Sequence, residues 1–94
     1  MKQNLTKKIS DYLLERKINP KHKGFFYLRS AIRRCIKDNE KPIINQLIMD
    51  IAKEYRTTFP VQVYKNIIYA LNKSRDNKLS VKEFIVIAVF ELSN

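Results

Sequence analysis

Gly24 is the only glycine in a chain of 94 residues, and only three prolines accompany it. An all-β domain needs a turn every 8–12 residues or so, built mostly from glycine, proline, asparagine and aspartate. So few turn formers leave α-helices as the economical way to use this chain. The expected fold class is all-α: a compact bundle of about five helices over residues 1–94. The length suits one domain with one core, and 45% apolar residues are enough to fill it.

The apolar spacing supplies the five segments. Leu5, Ile9, Tyr12, Leu13 and Arg16 follow helical spacing from about Asn4 to Lys17, with Lys7, Lys8, Asp11 and Glu15 on the other face. "INPKHKG" breaks this pattern at Pro20 and Gly24. In "GFFYLRSAIRRCIKDNE" the stripe is Phe25, Leu28, Ile32, Cys35 and Ile36, and Arg29, Arg33, Arg34 and Lys37 form a basic face beside it. Such a face suits DNA phosphates or a membrane surface, or is the solvated back of a core helix.

Pro42 fits the first turn of a third helix that continues through Tyr55, with Ile43, Ile44, Leu47, Ile48, Ile51, Ala52 and Tyr55 inward. A fourth is expected to use Thr58 as its cap and Pro60 near its first turn, with Val63, Ile67, Ala70 and Leu71 as its inner stripe. "SVKE" reads as a capping box, Ser80 with Glu83, opening a last helix to about Leu92. The run "FIVIAVF" in that helix is apolar nearly all round. It therefore predicts burial in the core and a homodimer contact through Phe84 and Phe90.

The third and fourth segments also satisfy the geometry of a helix-turn-helix over about residues 48–73. Ile51 is followed by the small Ala52, so a second helix can approach closely, and Tyr55 closes the first helix. Arg56 stands where the turn glycine is usual. The usual spacing would send Gln62 into the core. A turn one residue longer sends Val63 inward instead, and Ile67 follows in register. At 100° per residue, Gln62, Lys65, Tyr69 and Asn72 then point outward, with Val61 and Ile68 at the edge. Amide, ammonium and phenol groups on an exposed helix suit groove contacts.

The formal net charge is +10, from 19 Lys and Arg against 9 Asp and Glu. That surplus favours an anionic partner. Enzymatic constellations are missing. Cys35 is alone and at a core spacing, and His22 sits in a lysine-rich loop as an exposed, inert side chain or a phosphate contact. No glycine-rich phosphate loop, zinc cluster or catalytic residue stands out, and no cofactor is expected. Asn72, Ser74, Asp76, Lys78, Ser80 and Glu83 mimic a calcium-loop register, but only two are acidic and Asn77 replaces the glycine such a loop needs, so no metal is expected. No apolar stretch is long enough for a signal peptide or a membrane span, which makes the expected location cytoplasmic.

Three blocks resemble a known family. "KGFFYLRSAI" (residues 23–32) is similar to the "KGYxYLRxAI" segment of the C-terminal DNA-binding domain of the master response regulator of sporulation initiation in Bacillus and Clostridium. "DIAKEYRTT" (50–58) is similar to its "DIAKKFNTT", and "SVKEFIVIAVFEL" (80–92) resembles its final "NSEFIAMVADKL". Val63, Lys65, Ile67, Ala70 and Leu71 resemble its recognition helix.

The resemblance implies an all-helical transcriptional regulator whose helix-turn-helix binds short promoter boxes, often as a tandem dimer. No receiver domain is present, so the chain reads as a stand-alone effector. The stretch between recognition helix and last helix is shorter than in the family. Tyr64, Ile68 and Tyr69 replace the family's Glu, Arg and His. The expected partner is double-stranded DNA. Its contacts are assigned to Arg56, Thr57, Thr58, Gln62, Tyr64, Lys65, Ile68, Tyr69 and Lys73, with part of the basic second segment adding sequence-independent attraction. The alternative is a helical interaction module that pairs with a full-length regulator.

Overall fold

Asn4 starts the first helix by accepting hydrogen bonds from the backbone N–H groups of Thr6 and Lys7, so two otherwise unpaired donors are satisfied. The computed structural model describes residues 4–56 and 59–93. The helices are α1 (Leu5–Glu15), α2 (Lys23–Lys37), α3 (Ile44–Tyr55), α4 (Pro60–Asn72) and α5 (Val81–Leu92). Among the described residues there is no strand, and the class is all-α.

Helix ends fall where backbone geometry puts them, which is not always where apolar spacing stops. α1 ends at Glu15 rather than Lys17, because Lys17 takes a left-handed φ of 66°. The N–H of Ile18 then bonds back to Leu13 C=O at 3.0 Å, turning Ile18 into the core. Pro42 does not open α3. Ile43 holds the N-cap position in extended conformation, so its side chain leaves the helical stripe and is exposed instead of inward. Phe59, not Thr58, occupies the N-cap of α4, with Pro60 as first helical residue. Thr57 and Thr58 lie outside the described residues. The Ser80–Glu83 capping box forms as expected, and its hydrogen bonds from Ser80 hold the Glu83 carboxyl below the usual range.

α2 is the central element and packs against all four others. Its closest approach is to α4. A Cβ on Gly24 would land on the backbone carbonyl oxygen of Asn66 and within 2.7 Å of the Ala70 Cβ. Only a residue without a side chain lets the two backbones meet there. Phe25, Leu28, Ile32, Val63, Ile67, Ala70, Ile85 and Ala88 fill the space between α2, α4 and α5.

Two polar clusters tie the outer helices to this centre. Ser30 Oγ and Arg34 of α2 both donate to the Glu54 carboxylate of α3, at 2.6 and 3.0 Å. Tyr12 and Arg16 of the first helical segment donate to Glu91 of α5, at 2.6 and 2.8 Å, and Arg16 also lies 3.5 Å from Asp76. Burial, with Glu91 accepting its hydrogen bond, pushes the Tyr12 phenol well above its ordinary range. Cys35 is buried, and burial likewise pushes its thiol up.

The last helix buries one face. Phe84 is 1% exposed and sits edge-on to Tyr12, whereas Phe90 is 71% exposed. The expected dimer contact through both rings is therefore corrected for Phe84, which the monomer's own core consumes. Val86 and Ile87 share the exposed side of α5 with Phe90.

Two substitutions test this packing. Gly24→Ala should lower stability by about 2–3 kcal/mol, because backbone must give way rather than a side-chain tip; a urea midpoint equal to the parent's would contradict it. Phe84→Ser should cost about 3–5 kcal/mol, while Phe90→Ser should stay within about 0.5 kcal/mol of the parent in a dilute monomer. Thermal melts together with light scattering separate a core effect from a change in mass.

Candidate nucleic-acid interface

The turn between α3 and α4 begins with a residue in a conformation that glycine favours. Arg56 caps α3 with φ 60° and bonds its N–H to Ala52 C=O at 3.0 Å. An L-residue tolerates this at a cost of roughly 1–2 kcal/mol. Arg56, standing where a turn glycine is usual, closes α3 in this left-handed conformation and is exposed.

α4 then presents the expected face. Val63 and Ile67 are fully buried, and Gln62, Tyr64, Lys65, Tyr69 and Lys73 are exposed. The longer turn deduced from side-chain direction accordingly agrees with what α4 buries. Gln62 to Tyr69 covers about 10 Å of helix at 1.5 Å per residue, comparable to a major groove about 12 Å wide. Ile68, at the edge of this face, is half-buried and packs against the core.

Among the described residues no side chain caps the start of α4, and its first turn holds no acid. Pro60 has no N–H to satisfy, and the positive end of the helix dipole suits a phosphate oxygen. Phe59 and Val61, 75% and 57% exposed, flank this end and were missing from the assigned contacts. An aromatic cap that faces outward has no periodic signature in sequence, because the cap residue is outside the helical stripe.

Tyr69 is not a loose surface phenol. The His22 ring lies edge-on to it, with centroids 4.9 Å apart, and Lys73 Nζ sits 5.6 Å from its centroid. His22 is thus half-buried rather than exposed and inert. Lys53, Lys65 and Lys73 are exposed and form no ion pair among the described residues.

The basic face of α2 does not join this surface as freely as its charge suggests. Arg34 pairs with Glu54 at 3.0 Å and with Glu40 at 3.6 Å. Arg29 lies over the Phe26 ring and donates to Ser10 Oγ. With Arg33 these residues line a cleft against Thr6, Glu54 and Tyr55. Charge read along the sequence cannot reveal that a neighbouring helix brings the carboxylates.

An apolar groove of about 670 Å³ borders the start of α4, lined by Ile48, Met49, Val61, Tyr64 and Val81 among others. In the calcium-loop register, Ser74 Oγ instead bonds Leu71 C=O and the N–H of Asp76, and Asp76 faces Arg16. Among the described residues no group of three or more His, Cys, Asp or Glu side chains comes together. No described helix is long and apolar enough to cross a membrane.

Neither a curated protein nor a solved structure matches this chain. A family model does, over residues 9–91, and its description is "Sporulation initiation factor Spo0A C terminal". That family comprises the DNA-binding effector domain of a sporulation regulator and is not an enzyme family. With five helices in one core and a matched region that runs from α1 to the end of α5, the chain belongs to the Spo0A C-terminal family of DNA-binding domains.

Proposed function

We propose that the protein is a sequence-specific transcriptional regulator, acting in the cytoplasm on double-stranded DNA through a helix-turn-helix spanning about residues 48–73. The observation that carries this reading is α4 itself: a buried stripe of Val63, Ile67, Ala70 and Leu71 backs an exposed row of Gln62, Lys65 and Tyr69. Lys65 and Gln62 are assigned to base edges, since each reaches donors or acceptors in the major groove. Arg56, Lys73 and the N-terminus of α4 are assigned to phosphates. Tyr64 borders both the reading face and the apolar groove. The +10 net charge supplies long-range attraction.

A second reading has its own support. The groove beside α4 and the exposed Val86, Ile87 and Phe90 of α5 are apolar surfaces of the kind used in protein contacts. A helical module that pairs with a full-length regulator, or a homodimer through α5, would cover them.

Titration of a duplex selected from a random pool, and of a scrambled one, decides between the readings. Neutralising about 4–6 phosphates should give a slope of log K against log salt of roughly −4 to −5. Lys65→Ala should cost about 1–3 kcal/mol on the selected duplex and relax preference at one position. A slope near zero would remove DNA from the account, and equal losses on both duplexes would reduce Lys65 to a phosphate contact.

Arg56→Gly separates the turn from the interface. Relief of roughly 1–2 kcal/mol of left-handed strain is offset by about 0.4–1 kcal/mol of unfolded-chain entropy. Stability should therefore hold or rise slightly, while affinity for both duplexes falls. A drop in stability would show that the Arg56 side chain makes contacts in the free protein that outweigh its backbone strain.

A further inference from the structure

The segment between α1 and α2 is a held turn. Ile18 and Phe25 anchor its two ends in the core. Asn19 fixes the middle: its side-chain oxygen accepts from Lys21 N–H at 2.8 Å, and its carbonyl accepts from His22 N–H at 3.0 Å. The Gly24 contact with Asn66 and Ala70 then sets this segment against the middle of α4. The consequence is the edge-on packing of His22 on Tyr69. His22 Nδ1 is enclosed and has no hydrogen-bond partner, so ring packing rather than a hydrogen bond places the imidazole. Lys21 and Lys23, on either side, are exposed and form no ion pair among the described residues.

We propose that residues 21–23 form a second wall of the DNA interface, in which His22 is a positioning residue for the Tyr69 ring and Lys21 and Lys23 hold backbone phosphate. This inference rests on α4 as the reading helix. A tyrosine on an open helix surface samples several rotamers and must surrender them on binding. Packed edge-on by His22 and with the Lys73 ammonium 5.6 Å from its centroid, Tyr69 has surrendered much of that freedom before DNA arrives, and preorganisation of this kind raises affinity for the one geometry it fits. The selected duplex should gain from it and a scrambled duplex should not. The lysines act differently, because phosphates are present at every sequence.

The test uses the full chain, with the selected and the scrambled duplex titrated by fluorescence anisotropy at several salt concentrations. His22→Ala should reduce the ratio of the two affinities about three- to tenfold, the range expected for one lost aromatic contact. His22→Phe should restore the parent's ratio, since a ring is what the site needs. In a Tyr69→Ala background, His22→Ala should add no further loss in the ratio. Lys21→Ala and Lys23→Ala should weaken both duplexes alike and flatten the salt slope by about one each.

Melting curves confirm that each variant is folded at the assay temperature; if His22→Ala is not, His22→Gln carries the same expectation. A parent ratio that survives loss of the ring, fails to return with Phe, or falls again in the Tyr69→Ala background overturns the positioning role. An unchanged slope overturns the phosphate role. A parent that does not distinguish the duplexes removes the reading helix and this inference together, whereas a discriminating parent indifferent to His22 removes this inference alone.

Discussion

The contact of Gly24 with the Asn66 carbonyl governs the arrangement of this molecule. Two helix backbones come this close only where one of them lacks a side chain at the crossing, and the chain spends its single glycine there. That approach seats α4 on α2, and α3 then packs against both. It also places the turn before α2 on the outward side of α4, where His22 reaches Tyr69. Core geometry and surface geometry thus share one cause.

Electrostatics divides by residue type. The half-buried Arg34 pairs with Glu54 and Glu40, and the half-buried Arg16 pairs with Glu91 and Asp76. Guanidinium forks suit such shared carboxylates, since one group can serve two acceptors in a fixed plane. Glu83 is used in a helix cap and Asp11 pairs with Lys7. These internal uses leave much of the surplus charge on lysines at the surface, Lys21, Lys23, Lys53, Lys65 and Lys73 among them. Lysine is a mobile point charge that holds phosphate without demanding one geometry. The arrangement couples fold and function: Arg16 and Arg34 tie elements together, and exposed lysines, with Arg56, remain for an anionic partner.

Local patterns were legible where one helix decided the outcome alone. The inner stripe of α4 and the Ser80–Glu83 box both follow from spacing within a single segment. Ile43 and the end of α1 escaped because caps and left-handed residues break periodicity without changing composition. Phe84 escaped for another reason. It lies on an apolar surface that two packing schemes could cover, and only the placement of neighbouring helices selects one.

By itself, the sequence determined the class, the helix inventory and the face of α4 that turns outward, because helical periodicity and a shortage of turn residues are properties of the chain read locally. It also determined the sign of the partner's charge. Tertiary structure decided which basic residues remain available, since the carboxylates that occupy Arg16 and Arg34 lie mostly on other helices or in a distant loop. It decided that Phe84 is internal and Phe90 is not. And it brought His22 to Tyr69, 47 residues away along the chain, a meeting that depends on how closely two backbones approach and that no local pattern encodes.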